Sequence, residues 1–368
     1  GFDNSIGLDM GGTSTDVCLC DRGELPVTKD WHVEYGYPIC FPSIEVLTIG
    51  AGGGSLAWID KGGSLRNGPQ SAGSRPGPVC YNQGGTQPTN CDANVMLGRL
   101  GTTLAGGAIE LRKDLAEKAI AEAVAKPLGL SPEEAALAVL KVANANMADA
   151  VRLVSIRKGY DPREFALVAC GGAGALHGAA LAKDLNIPTV IVPPNPGVTS
   201  ALGCLLVDIT HDISRMYLSN IANVSLDELD QAFRELEMEG RERLLHEGVP
   251  EDRMVFQRFI DMRYLGQWRA MSIAVPSRLA SLEPAVAKFH EDHGREHNYS
   301  RPGAPVEVYR LQVKATGLVR KAEFAKSPKR SGKIPTAAGE RMVRFDEHPK
   351  PMKTQVFDRA QLMPGDVI

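Results

Sequence analysis

The chain has 368 residues, 43% hydrophobic and 23% charged, with 41 Lys and Arg against 44 Asp and Glu for a formal net charge of −3. This length allows two domains with separate cores, and the near balance of charge removes the electrostatic case for nucleic acid or an anionic membrane as partner. No apolar run approaches the roughly 18 residues a membrane span needs, and nothing at the start reads as a signal peptide, so the cytoplasm is the default expectation.

The first stretch with chemical content is Leu8-Asp9-Met10-Gly11-Gly12-Thr13-Ser14-Thr15-Asp16, set between short apolar runs. Two strands joined here would bring carboxylates, bare backbone and hydroxyls to one point, which suits a phosphate with Mg²⁺ between it and Asp9 or Asp16. The same residues also suit an ordinary hairpin turn. Cys18 and Cys20 alternate to one side of the second strand, but no further pair follows at zinc-site spacing. Seven cysteines, an odd count without framework spacing, are expected as buried or inert thiols.

Beyond residues 38–46 comes Gly50-Ala51-Gly52-Gly53-Gly54 between two apolar runs. It is either an anion nest, in which glycine permits positive φ and close backbone approach, or a flexible connector. Residues 62–94 are rich in Gly, Pro, Asn and Gln, and their small residues favour ordered turns. Asp92-Ala93-Asn94 opens a helix expected to run through Leu100, with Asp92 either its cap or a functional residue.

Helices are expected over 114–124 and, from the capping box Ser131-Pro132-Glu133-Glu134, over 132–157. Small residues Ala143, Ala145, Ala148 and Ala150 imply close packing, while Asn144, Asn146 and Asp149 face either solvent or a cleft. Residues 165–170 form a buried strand feeding Gly171-Gly172-Ala173-Gly174-Ala175-Leu176-His177 and a helix to Leu185, an arrangement that receives a nucleotide at the helix N-terminus. The glycine spacing misses the dinucleotide fingerprint by one place, so a Rossmann fold is the weaker reading. His177 is either catalytic or a core hydrogen-bonding residue. With a further strand at 187–192, the alternation reads as an α/β fold with a mostly parallel sheet between helices.

The apolar pattern ends over 208–215, placing a boundary between a first domain, 1–215, and a smaller α+β domain, 216–368. The second domain starts with the capping box Ser225-Leu226-Asp227-Glu228 and an amphipathic helix, followed by strands at 255–264 and 268–275, a helix at 282–297 and a strand at 306–315. His290, His293 and His297 share a helical face without an obvious fourth metal ligand, so a solvated helix is the simpler reading. Residues 326–335 read as an exposed loop. Gly1 is not an initiator methionine, and the last residues, Met363-Pro364-Gly365-Asp366-Val367-Ile368, look like a turn into a strand that goes no further. The expectation is a piece, or one subunit, of something longer.

The three glycine motifs, in this order, resemble the hydantoinase A/5-oxoprolinase (N-methylhydantoinase A) family, which includes subunits of ATP-dependent acetone and acetophenone carboxylases. Ser71-Ala72-Gly73-Ser74-Arg75-Pro76-Gly77-Pro78, Asp92-Ala93-Asn94, Pro193-Pro194-Asn195-Pro196-Gly197 and Asp261-Met262-Arg263-Tyr264-Leu265-Gly266-Gln267 are similar to that family too. The resemblance implies an actin-like, ribonuclease-H-like ATPase lobe. Family members usually carry a separate N-terminal lobe with its own Asp-x-Gly-Gly-Thr loop, and this chain lacks that lobe, so another chain would have to supply the facing wall of the cleft.

The resemblance further implies ATP and Mg²⁺ as cofactors, a hydantoinase B-type partner subunit and a small-molecule substrate. Gly11, Gly12, Thr13 and Thr15 with Gly52, Gly53 and Gly54 would hold phosphate, and Gly171, Gly172 and Gly174 would line the adenosine. Asp9 or Asp16 would hold the metal or orient the attacking group, and His177 would act as acid or base. The activity implied is ATP-dependent hydrolysis of a cyclic amide of the hydantoin or 5-oxoproline type, through phosphorylation of a carbonyl oxygen. The alternatives are a ketone carboxylase subunit and a non-catalytic assembly subunit that keeps the nucleotide fold.

Overall fold

A computed structural model describes residues 2–28, 31–33, 37–39, 43–321 and 335–368. The chain forms two compact units, Gly1–Leu202 with Ala325–Ile368, and Gly203–Phe324. Compact packing therefore returns the C-terminal residues to the first unit, whereas the sequence pattern grouped them with the second domain.

In chain order the first unit contains β1 (Ser5–Met10), β2 (Thr15–Cys20), β3 (Leu47–Ile49), β4 (Ser55–Ile59), β5 (Leu65–Ser71), α1 (Asn90–Met96), α2 (Lys113–Ile120), α3 (Pro132–Val154), β6 (Ala166–Cys170), α4 (Gly171–Leu185) and β7 (Thr189–Ile191). Its central sheet has five strands in the order β7-β6-β1-β2-β3. β6 runs parallel to β1 and β7, whereas β2 runs antiparallel to its two neighbours, β1 and β3. The mostly parallel sheet expected from the βα alternation is thus corrected to a mixed one, because the tight 11–14 turn can join only antiparallel strands.

Strict alternation in β1 and β2 buries Ile6, Leu8, Met10, Val17 and Leu19 on one face. On that same face α3 contributes Met147, Val151 and Val154, and α4 contributes Leu181 and Leu185, so these two helices do not sandwich the sheet as expected. Each such side chain adds about 1.5–3 kcal/mol through the apolar surface it removes from water. Ser131 caps α3 in the expected reciprocal box with Glu134, and Pro132 occupies the first turn, where its missing N–H costs nothing. Ala143, Ala148 and Ala150 are buried along α3, which lets it lie close to its neighbours. α1 starts at Asn90, with Thr89 as the cap and Asp92 closing the box from the third helical position.

The second unit contains β8 (Ile209–Asn220), α5 (Leu226–His246), β9 (Met254–Tyr264), β10 (Met271–Val275), α6 (Glu283–His297) and β11 (Val306–Gly317). Its antiparallel sheet has the order β8-β11-β9-β10. Phe233, Leu236 and Leu244 of α5 and Phe289 of α6 share a core with Ile260, Met262, Leu311 and Val313. Arg258, 6% exposed, is neutralised by Glu237 at 2.7 Å and Asp230 at 2.6 Å.

His290 Nδ1 meets the Tyr264 hydroxyl at 2.6 Å, and His293 Nδ1 donates to the Tyr299 carbonyl at 2.8 Å. These rings therefore tie α6 to its surroundings, and no group of three potential metal ligands occurs among the described residues. A last hairpin, β12 (Gly339–Val343) and β13 (Met352–Val356), belongs to the first unit, where the Arg344 N–H donates to the Leu97 carbonyl at 2.9 Å. The expected 326–335 loop lies, except for Pro335, outside the described residues.

Candidate functional site

The turn between β1 and β2 closes through a hydrogen bond from the Gly11 N–H to the Ser14 carbonyl at 3.0 Å. The second glycine loop docks on it by backbone alone: Gly53 N–H donates to the Gly11 carbonyl at 2.9 Å, and Gly54 N–H to the Gly12 carbonyl at 2.6 Å. Gly52 lies under the Gly12–Thr13 peptide, where a Cβ would stand 2.6 Å from Gly12 C and from Thr13 N and C. Any side chain at that position would force the two loops apart. α1 holds the loop from its other side, since the Cys91 N–H donates to the Gly53 carbonyl at 2.7 Å and Asn90 Nδ2 to the Gly52 carbonyl at 2.8 Å.

The third glycine turn joins β6 to α4. Gly171 has φ +81°, and a Cβ there would collide with the Met10 carbonyl and reach 2.5 Å from Asp9 Oδ1. Its absence of a side chain lets α4 begin directly beside the end of β1. Gly172, Ala173 and Leu176 of α4 then line a cavity of about 300 Å³ together with Gly11, Gly12, Gly53 and Gly54. Three turns far apart in sequence thus converge, and the first turn of α4, which carries no acidic residue, brings unpaired backbone N–H groups. The remaining lining comes from Gly73, Pro78, Tyr81, Cys91, Asn94, Leu100 and Leu104.

Asp9 and Asp16 are register partners across β1 and β2, on the sheet face opposite the core. Thr48 is the next partner along this row and donates to Asp16 Oδ1 at 2.6 Å, while Ser200 donates to Asp9 Oδ2 at 2.5 Å. On the other side of Asp9 stands Cys170, whose thiol is pushed up to about 11 by burial first and by the Asp9 charge second. The thiol therefore stays protonated at neutral pH. Neither carboxylate is among the residues that line the cavity, but two adjacent carboxylates at the base of the first glycine turn fit Mg²⁺, which takes one or two carboxylates and completes its shell with phosphate and water oxygens.

The other expected residues are placed differently. Thr13 is exposed on the first turn, whereas Thr15 is fully buried with its hydroxyl committed to the Ala51 carbonyl. Gly174 is buried in the first turn of α4, against β1, where a Cβ would come 3.4 Å from the Leu8 carbonyl, so its part is packing. His177 is 2% exposed, and its Nδ1 donates to Asn144 Oδ1 at 2.7 Å, between α3 and α4 and away from the cavity lining. Burial, then the Arg99 charge, lowers its pKa to about 4, so the ring is neutral.

Asp92 is fully buried and accepts from the N–H groups of Cys80 at 2.7 Å and Thr89 at 2.8 Å and from the Thr89 hydroxyl at 2.8 Å. It locks the 79–81 segment to the start of α1. Cys80 and Cys91, distant in sequence, are buried with Sγ atoms 3.8 Å apart. Tyr81, Leu100 and Leu104 had no local signal, because their role depends on how the 62–104 segment folds back, whereas Leu176 lies within the third glycine motif.

Residues 1–213 match the hydantoinase/oxoprolinase family model, and residues 219–368 match the model of the hydantoinase/oxoprolinase C-terminal domain. The caprolactamase alpha subunit of Pseudomonas jessenii is 37% identical over 100% of this chain and 54% of its own length. The acetophenone carboxylase gamma subunit of Aromatoleum aromaticum is 37% identical over 75% of this chain and 39% of its own. Two solved structures match all of the chain and 54% of their own: the ATP-dependent caprolactamase of Pseudomonas jessenii, with TM-score 0.81 and 38% identity, and a nucleotide-free acetone carboxylase, with TM-score 0.83 and 27% identity. The chain spans about half the length of the curated relatives it matches.

Proposed function

The chain belongs to the hydantoinase/oxoprolinase family, and from that membership we propose that its first unit is the nucleotide-binding lobe of an ATP-dependent enzyme that opens a cyclic amide. The observation that carries this reading is the meeting of Gly11-Gly12, Gly53-Gly54 and Gly172-Ala173 at one cavity. The Gly11, Gly53 and Gly54 N–H groups are committed to carbonyls, so the N–H groups at the first turn of α4, beside a wall without side chains, are those that suit the oxygens of a polyphosphate. The sheet order, with an antiparallel three-strand half and a parallel two-strand half, supports the actin-like, ribonuclease-H-like description of this lobe.

In this reading Gly11, Gly12 and Thr13 cradle phosphate with the N–H groups at the start of α4, Gly172 and Ala173 border the adenosine, and Asp9 or Asp16 holds Mg²⁺ or orients the attacking group. Bound ATP with Mg²⁺ would supply a phosphoryl group that turns an amide carbonyl oxygen into a leaving group. Thr48 and Ser200 hold the two carboxylates in place through their hydroxyls. We assign His177 to the core pair with Asn144 and give it no proton transfer.

A cyclic amide is favoured over a ketone because caprolactamase combines 37% identity with a match to all of the chain, whereas acetophenone carboxylase has that identity over 75% of it and acetone carboxylase matches all of it at 27%. A hydantoinase B-type subunit and a second lobe facing the glycine turns belong to the same proposal. The test is ATP hydrolysis by the full-length protein with its partner subunit, assayed with hydantoin, 5-oxoproline, caprolactam and small ketones. Stimulation by a ring amide supports the reading. Stimulation by a ketone with bicarbonate favours the carboxylase alternative, and ATP binding without stimulation by any of them favours the assembly subunit.

A further inference from the structure

The glycine turns account for one side of the cavity, and the apolar side contains a single unmatched polar atom. Asn94 of α1 lines the cavity and is 2% exposed. Its Nδ2 donates to the Asn90 carbonyl at 3.0 Å, which fixes which way the amide points. Asn90 is itself immobilised by a reciprocal amide pair with Asn67, at 2.7 and 3.2 Å, and by its bond to the Gly52 carbonyl. Asn94 Oδ1 is left buried without a hydrogen-bond partner among the described residues. A buried acceptor left in this state is costly, so a donor arriving with a ligand is strongly favoured there.

The surrounding lining is Pro78, Tyr81, Leu100, Leu104 and Leu176. An aromatic ring with one N–H donor matches it; a ribose, polar at every edge, would find only the Tyr81 hydroxyl beside Asn94 for its hydroxyls and face apolar carbon elsewhere. We propose that Asn94 selects the base of the bound nucleotide, its Oδ1 accepting a hydrogen bond from an exocyclic amino group such as the 6-amino group of adenine. This rests on the nucleotide reading above. A 6-oxo purine at the same place would set two acceptors against each other, so the site discriminates against it.

The test compares ATP, inosine triphosphate, 2′-deoxy-ATP and inorganic tripolyphosphate, each with Mg²⁺, by calorimetric titration of the full-length protein and its Asn94→Leu and Asn94→Ala variants. The expected result is roughly tenfold tighter binding of ATP than of inosine triphosphate in the wild type, with that ratio falling towards one in either variant while tripolyphosphate affinity is unchanged. Equal wild-type affinities for ATP and inosine triphosphate overturn the inference without any variant. So does an Asn94-dependent preference for ATP over 2′-deoxy-ATP, which would place the ribose at Oδ1. If neither ATP nor tripolyphosphate binds, the nucleotide reading itself fails and takes this inference with it.

Discussion

Asp9 and Asp16 stand directly opposite each other on β1 and β2, two carboxylates in a cross-strand pair where opposite charge would stabilise. Like charges so placed cost roughly 0.2–1 kcal/mol. Asp9→Asn should therefore leave the melting temperature unchanged or slightly raised while lowering ATP turnover of the full assembly by at least about 100-fold. Unchanged turnover removes Asp9 from the chemistry, and a large loss of melting temperature makes the aspartate structural.

Gly52 is held by backbone contact at 2.6 Å, with nowhere for a methyl group to go. Gly52→Ala should cost about 1–3 kcal/mol in denaturant unfolding, because the two glycine loops must separate. A variant as stable as the wild type would mean that the docking of the second loop on the first is not rigid.

Asp92 gathers the Cys80 and Thr89 N–H groups and the Thr89 hydroxyl onto one buried carboxylate. Asp92→Ala leaves those donors buried and removes half of the capping box, so a loss of about 2–4 kcal/mol is expected in urea unfolding. Asp92→Asn should recover part of it, since one amide oxygen still accepts. A loss below about 0.5 kcal/mol for the alanine variant would show that the 79–81 segment is held by other contacts.

His177 titrates near 4 in the folded state against 6.5 ordinarily, so the unfolded chain takes up its proton first as pH falls. Its contribution is complete above the ordinary value and declines as pH drops through 6.5 towards 4. Between about pH 7.5 and pH 5 this one group should remove about 2 kcal/mol of stability. Unfolding free energies measured at both pH values for the wild type and His177→Gln should differ by that amount in their pH dependence. An equal pH dependence would mean that the imidazole is solvated, which would reopen an acid–base role.

Much of this architecture is legible in local pattern. The alternation of Ile6, Leu8 and Met10 marks β1, Ser131-Pro132-Glu133-Glu134 marks the start of α3, and all three glycine turns stand out by composition. What local pattern cannot carry is the partner of each strand. The βα alternation from 165 to 191 suggested a mostly parallel sheet, and the pairing of β2 with both β1 and β3 makes three of its five strands an antiparallel set.

Side-chain direction is the other gap. Thr15 and Asp16 are neighbours in the motif, yet one residue of pleat sends Thr15 into the core and Asp16 to the opposite face. His177 lies one residue beyond Leu176, and the rotation of α4 turns it towards Asn144 while Leu176 stays in the cavity lining. The lining residues Tyr81, Asn94 and Leu104 reach the glycine turns through a fold-back of the 62–104 segment, for which the sequence carries no periodic signal.

The claim that the glycine turns bind nucleotide phosphate is tested most directly at Gly53. A Cβ there meets only Ala173 Cβ at 3.7 Å and the Gly11 carbonyl at 3.8 Å, so alanine fits the fold while placing a methyl group in the cavity wall. Calorimetric titration of the full-length wild type and Gly53→Ala with ATP and Mg²⁺ should show a loss of affinity of at least about tenfold in the variant at unchanged melting temperature. Equal affinities would contradict the account and move the phosphate away from these turns.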